Sequence, residues 1–152
     1  MTITVAAASI ADADALTDLM QDLDTFYGAP PTDPRPQRLA HIRRLLLSGQ
    51  TSPAVLLARE DHEVLGMAAY AFLWPAAGVT QSLFLKELYV REHARRRGIG
   101  GLLMDHLRRI ATETGCSRIE WTTDLDNQSA QSFYRAQGFT VNTGKVFYRT
   151  EI

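Results

Sequence analysis

The 152-residue chain is 45% hydrophobic and 22% charged, the make-up of a globular domain with a real core rather than of a disordered segment. A formal net charge of -1 excludes bulk attraction to nucleic acid or to an anionic membrane, and the single cysteine, Cys116, excludes an internal disulfide framework and a multi-cysteine metal site. No apolar run approaches the ~20 residues a membrane span needs, and the start at Met1 lacks a basic then apolar leader, so a cytoplasmic protein is expected.

Ile3 to Ala7 reads as a short strand, and Ser9-Ile10-Ala11-Asp12 as a capping-box-like helix start. The first helix spaces Leu16, Leu19, Met20 and Leu23 along one face and stops near Tyr27-Gly28. Ala29 to Pro36 holds four of the six prolines and is expected to be a loop. A second helix, about Gln37 to Leu47, carries Leu39, Ile42, Leu45 and Leu46 as its apolar stripe and closes at Ser48-Gly49.

Ala54 to Arg59 and Val64 to Trp74 are strand-like runs joined by the polar turn Glu60 to Glu63, an antiparallel hairpin. After a break at Pro75 to Gln81 comes a strand, Leu83 to Val90, then Arg95-Arg96-Arg97-Gly98-Ile99-Gly100-Gly101. A helix follows, with Leu102, Leu103, Leu107 and Ile110 along it and Gly115 as its stop. Arg118 to Thr123 reads as a strand, Ser129 to Ala136 as a short helix capped by Asn127 or Ser129, and Phe139 to Val141 with Lys145 to Arg149 as a terminal hairpin. The order is βααβββαβαββ, a mixed α/β fold in a single domain over 1–152, with no repeat or low-complexity segment.

Two stretches carry chemistry. In Arg95-x-x-Gly98-x-Gly100, glycines let the backbone approach a ligand closely, while N–H groups at a helix N-terminus attract an anion such as a pyrophosphate. A Walker A loop is excluded, because no Gly-Lys-Ser/Thr follows, and Leu103 stands where a dinucleotide fingerprint has its third glycine. A solvated arginine cluster on a surface turn is the competing reading. The second stretch is Asn127-x-x-Ala130-x-x-Phe133-Tyr134-x-x-x-Gly138-Phe139, which taken alone is a capped, core-packed helix. His41, His62, His93 and His106 show no metal-ligand spacing, and no metal is expected.

Together the two motifs resemble the GNAT superfamily of acetyl-CoA-dependent N-acetyltransferases. Arg95 to Gly100 is similar to that family's pyrophosphate loop, and Asn127 to Phe139 to its later motif. The resemblance implies a central sheet splayed at a β-bulge, with pantetheine between the strand ending at Val90 and the one ending near Thr123. It implies that Leu88, Tyr89 and Val90, the turn Arg95, Arg96, Arg97, Gly98, Ile99, Gly100 and Gly101, and Asn127 hold the cofactor. Leu88 and Val90 would act through backbone groups, one N–H near Val90 stabilising the oxyanion, and Tyr134 would protonate the departing thiolate.

An alkylamine with a pKa near ~10.4 is neutral about once in a thousand molecules at pH 7, so something must take its proton. Glu87, next to the implied pantetheine-binding backbone and on the strand face opposite Leu88, is the candidate base, with a solvated ion pair as its competing reading. Asp22, Asp24, Phe26 and Tyr27 at the end of the first helix, and Asp124 and Asp126, are candidates for the acceptor side. The expected substrate is a small primary amine, by likeness to the diamine and polyamine branch. A protein lysine or N-terminal amine, a non-catalytic acyl-CoA sensor and a nucleic-acid module built on Arg95 to Arg97 are the alternatives. A homodimer fits the family, and neither nucleic acid nor membrane is expected as a partner.

Overall fold

The computed structural model describes residues 2–29, 33–47 and 53–152. They fall into two compact units, Met1–Thr122 and Thr123–Ile152. The first unit opens with β1 (Ile3–Ala7), a 3₁₀ turn at Ile10–Asp12, α1 (Ala13–Phe26) and α2 (Arg35–Leu46). It continues with β2 (Ala54–Glu60), β3 (Glu63–Leu73), β4 (Gln81–Val90), a 3₁₀ turn at Glu92–Ala94, α3 (Ile99–Glu113) and β5 (Cys116–Trp121). The second unit holds α4 (Gln128–Ala136).

The helix starts follow local chemistry. Asp12 accepts the Ser9 backbone N–H at 2.8 Å, as the capping-box spacing predicts, and the first turn is 3₁₀ before α1 begins. α2 begins at Arg35, two residues ahead of the sequence reading. Pro36 sits in its first turn, where a missing N–H costs nothing because no intrahelical acceptor exists there. Arg35 reaches Asp14 and Asp18, and Arg38 reaches Asp24 at 2.8 Å, tying α2 to α1. The expected helix closure at Ser48-Gly49, the prolines Pro30 and Pro31 and the side chain of Leu45 lie outside the described residues.

The five strands lie in the order β1-β2-β3-β4-β5, antiparallel except for the β4–β5 pair. One face carries Val55, Leu57, Met67 and Tyr89 and is covered by Leu16, Leu19 and Leu23 of α1, with Ile42 and Leu46 of α2 packed against that cluster. α3 packs on β4 and β5 and buries Ile99, Leu103, Met104, Leu107 and Ala111. Leu102 and Ile110, expected on that stripe, are only half-buried, because a 100° step per residue turns them to its margins.

The β3–β4 register contains a bulge. Ala69 pairs with Glu87 and Tyr70 with Leu85, so Lys86 has no partner across the ladder. Cross-strand partners share a face and adjacent residues do not, so Leu85 and Glu87 point to opposite sides of the sheet. Glu87 therefore lies on the α1 face with Ala69 and Tyr89, and Leu88 on the other. Pairing of β4 with β5 ends at Leu85–Trp121, leaving Lys86–Val90 past it. The splay expected at a β-bulge is present.

The terminal hairpin is a correction: residues 139–152 contain no strand. The turn chemistry at its centre does form, with Asn142 Oδ1 accepting the Gly144 N–H at 2.9 Å. Turn and propensity do not supply a ladder, since two short strands without a third or a packed face are marginal.

Candidate active site

The end of β4 and the turn after it hold most of the residues singled out in the sequence. The Arg91 N–H donates to the Leu65 carbonyl on β3 at 2.8 Å, so that peptide faces β3. Peptide groups alternate along a strand, which turns the N–H groups of Val90 and Leu88 the other way, toward the side that β5 has left. That open edge suits an extended amide chain. β3 comes close on the opposite side: a Cβ on Gly66 would stand 2.7 Å from the Tyr89 carbonyl oxygen.

Gly98 precedes α3 with φ at +77°, a left-handed conformation that glycine adopts without steric cost. The helical ladder starts with the Leu102 N–H on the Gly98 carbonyl at 3.0 Å, so the first-turn N–H groups of Ile99, Gly100 and Gly101 have no intrahelical acceptor. This is the geometry that holds a phosphate. Arg96 sits at φ +64° and is exposed. The Arg97 guanidinium pairs through one terminal nitrogen with Glu60 at the end of β2.

Arg95 is held from two sides. Its Nε donates to the Val90 carbonyl at 2.9 Å, and its guanidinium lies 4.2 Å from the Phe26 ring centre and 5.8 Å from that of Tyr89. The Tyr89 side chain is buried, and its hydroxyl donates to Asp22 Oδ2 at 2.8 Å. Burial first, and then that carboxylate, push the Tyr89 hydroxyl up to about 12. Arg91 completes the group, 3.4 Å from Asp22 and donating through Nε to the Val64 carbonyl at 2.8 Å. Asp22, Thr25, Phe26, Tyr89, Glu92 and His93 line a cleft of about 420 Å³. Tyr27, beside Phe26, is half exposed.

Arg91 and Gly66 were not in the sequence-derived site, whereas Asp22 was a candidate there with Phe26, four residues on along the same helical face. Glu87 is half-buried on the α1 face.

Asp124, Asn127 and Tyr134 lie in the second unit. Asn127 caps α4, its Oδ1 accepting the Ala130 N–H at 3.0 Å, which leaves the amide NH₂ as the part that can donate. Tyr134 is half-buried and makes edge contacts with Phe133 at 5.2 Å and Phe139 at 6.3 Å. Asp124 is exposed, and its carbonyl accepts from Gln131. Among the described residues no group of three or more His, Cys, Asp or Glu could hold a metal, and no helix is long and apolar enough to cross a membrane.

A model of the Acetyltransferase (GNAT) family matches residues 16–139, which takes in the bulge, the turn and α4. The chain belongs to the GNAT acetyltransferase family. Within it, the chain is 30% identical over 96 residues to the D-amino-acid N-acetyltransferase HPA3 of Saccharomyces cerevisiae, a match covering 63% of this chain and 58% of that one. It is 36% identical over 66 residues to an aminoglycoside N(6')-acetyltransferase type 1 of Serratia marcescens, covering 43% and 45%. Each match thus spans less than two thirds of the relative. An integron cassette protein from the Vibrio cholerae mobile metagenome superposes with a TM-score of 0.88 at 29% identity, covering 99% of this chain and 93% of that one.

Proposed function

We propose that this GNAT chain transfers the acetyl group of acetyl-CoA to the primary amine of a small molecule by direct attack in a ternary complex. The observation that carries the reading is the open edge of β4, where Leu88 and Val90 turn N–H groups away from β3, directly ahead of the left-handed Gly98 turn. An extended amide arm and a pyrophosphate need those two sites in that order. Leu88, Tyr89 and Val90 would line the arm, the turn from Arg95 to Gly101 would take the pyrophosphate, and the Asn127 amide would donate to pantetheine.

In the transfer, the amine nitrogen attacks the thioester carbonyl carbon while Glu87 takes the amine proton, directly or through a water. The Val90 N–H stabilises the oxygen as it gains charge. The C–N bond forms, the C–S bond breaks, and the Tyr134 hydroxyl supplies the proton the thiolate acquires. The thioester supplies the activated acetyl group. A small acceptor is supported by the named substrates of the yeast and Serratia relatives, a D-amino acid and an aminoglycoside. Glu92 on the cleft suits a cationic amine, with Tyr27 and Asp124 as further acceptor contacts.

The chain works as a homodimer on this reading, supported by the apolar side chains Val141, Val146, Phe147 and Tyr148, all exposed. Its setting is the cytoplasm, where acetyl-CoA is made available.

The test is thiol release from acetyl-CoA across a panel of diamines, amino acids, aminoglycosides and lysine peptides. Turnover confined to one small-amine class supports the reading. Turnover on the peptides alone makes the chain a protein acetyltransferase, and tight CoA binding without turnover on any amine makes it a sensor.

A further inference from the structure

We infer that Phe26 is a positioning residue for the cofactor turn, holding the Arg95 guanidinium in place for a phosphate, rather than an acceptor-binding residue. The inference rests on the acetyl-CoA reading above. Phe26 is the last residue of α1, and its ring centre lies 4.2 Å from the Arg95 guanidinium carbon. Such proximity of cation to ring is an attraction, stronger where water is partly excluded. The same guanidinium is fixed from a second side, because its Nε donates to the Val90 carbonyl at 2.9 Å. That bond uses Nε, so the two terminal nitrogens are the ones a phosphate would take.

The platform is itself held rigid. Phe26 leans on Tyr89, their ring centres 6.0 Å apart, and Tyr89 is 3% exposed with its hydroxyl on Asp22. Asp22 and Phe26 stand at i and i+4, on one face of the last turns of α1. The helix therefore grips the end of β4 twice: Asp22 fixes the Tyr89 hydroxyl, and Phe26 fixes the arginine that belongs to the pyrophosphate turn. A long arginine side chain loses rotamer entropy when it binds an anion. Prior restraint on the aromatic face removes part of that loss and appears as tighter cofactor binding.

An alternative role for the ring, as a face for the acceptor ammonium, makes the opposite kinetic forecast. Loss of the ring would then raise the acceptor KM and leave cofactor affinity alone.

The experiment measures CoA affinity by titration calorimetry for the wild type, Phe26→Leu, Phe26→Trp, Arg95→Ala and the Phe26→Leu/Arg95→Ala double variant, with KM for each substrate alongside. Phe26→Leu should weaken CoA about threefold to tenfold and raise the acetyl-CoA KM in step, with the acceptor KM unmoved. Phe26→Trp should restore affinity, since a larger ring serves the cation as well. The double variant should bind no worse than Arg95→Ala, because the ring acts through that arginine. Wild-type CoA affinity in Phe26→Leu, additive losses in the double variant, or a rise confined to the acceptor KM would overturn the inference while leaving the acetyl-CoA reading standing. A wild-type protein that does not bind CoA would overturn both.

Discussion

Gly66→Ala is a small change at a place where the strands leave no room for it. Gly66 pairs with Val90, and an added Cβ would stand 2.7 Å from the Tyr89 carbonyl oxygen and 3.3 Å from both Val90 Cα and Cγ2. The nearest obstacle is backbone, so no side chain can rotate aside, and ordinary contact requires roughly 0.7 Å of separation between β3 and the end of β4. Overpacking of this kind costs about 1–3 kcal/mol, offset by about 0.4–1 kcal/mol because alanine restricts the unfolded chain. At mid-range the net loss of about 1.3 kcal/mol lowers the melting temperature by about 3–5 °C for a chain of this size. The displaced segment carries the Val90 N–H. A 1 Å misplacement of reacting groups can cost about a hundredfold, so a shift of this size should lower kcat at least tenfold by that rough scale. Thermal unfolding and kcat measured on one preparation read both effects. An unchanged or raised melting temperature with full kcat would refute the close approach and the placing of catalysis at this strand end.

Tyr134→Phe should lower kcat by roughly tenfold to a hundredfold with CoA affinity retained; unchanged turnover at saturating substrate removes the hydroxyl from the proton path. Glu87→Gln should reduce the rate most at low pH, where neutral amine is scarcest, and an unaltered pH–rate profile passes the base role to water. Tyr89→Phe should remove a step near pH 12 from a spectrophotometric tyrosine titration, because the Tyr89 hydroxyl is pushed up to about 12. The sign follows from the direction: a pKa raised in the fold favours the protonated form. The stability Tyr89 adds is therefore whole below its ordinary value near ~10 and is lost as pH climbs through about 12. A titration identical in the variant would place Tyr89 in a solvent-like setting.

The parts of this fold that sequence reveals are those set by local pattern. The spacing of Leu16, Leu19 and Leu23 specifies the buried face of α1, and Gly98 marks the start of α3 because few other residues take its φ. Boundaries drifted where pairing decides them. β5 begins at Cys116, ahead of the expected Arg118, because Cys116 lies opposite Gln81 on β4, and a partner 35 residues away leaves no local trace. Residues 139–152 show the converse, a β-like pattern without a ladder. In the site, the glycine turn ahead of α3 was legible, and the resemblance supplied the bulge. The grip of Asp22 and Phe26 on Tyr89 and Arg95 was not, because it joins α1 to β4 across most of the unit and depends on packing. Arg97 adds a contact that its own turn does not show, its guanidinium pairing with Glu60 at the end of β2.

The most direct test of acetyl transfer is mass spectrometry of the amine after incubation with acetyl-CoA labelled with ¹³C in the acetyl group. The account predicts the label in an amide on the acceptor nitrogen, with one free CoA thiol for each amide formed. CoA bound at the β4 edge with the label still in the thioester, for every amine tried, would contradict it.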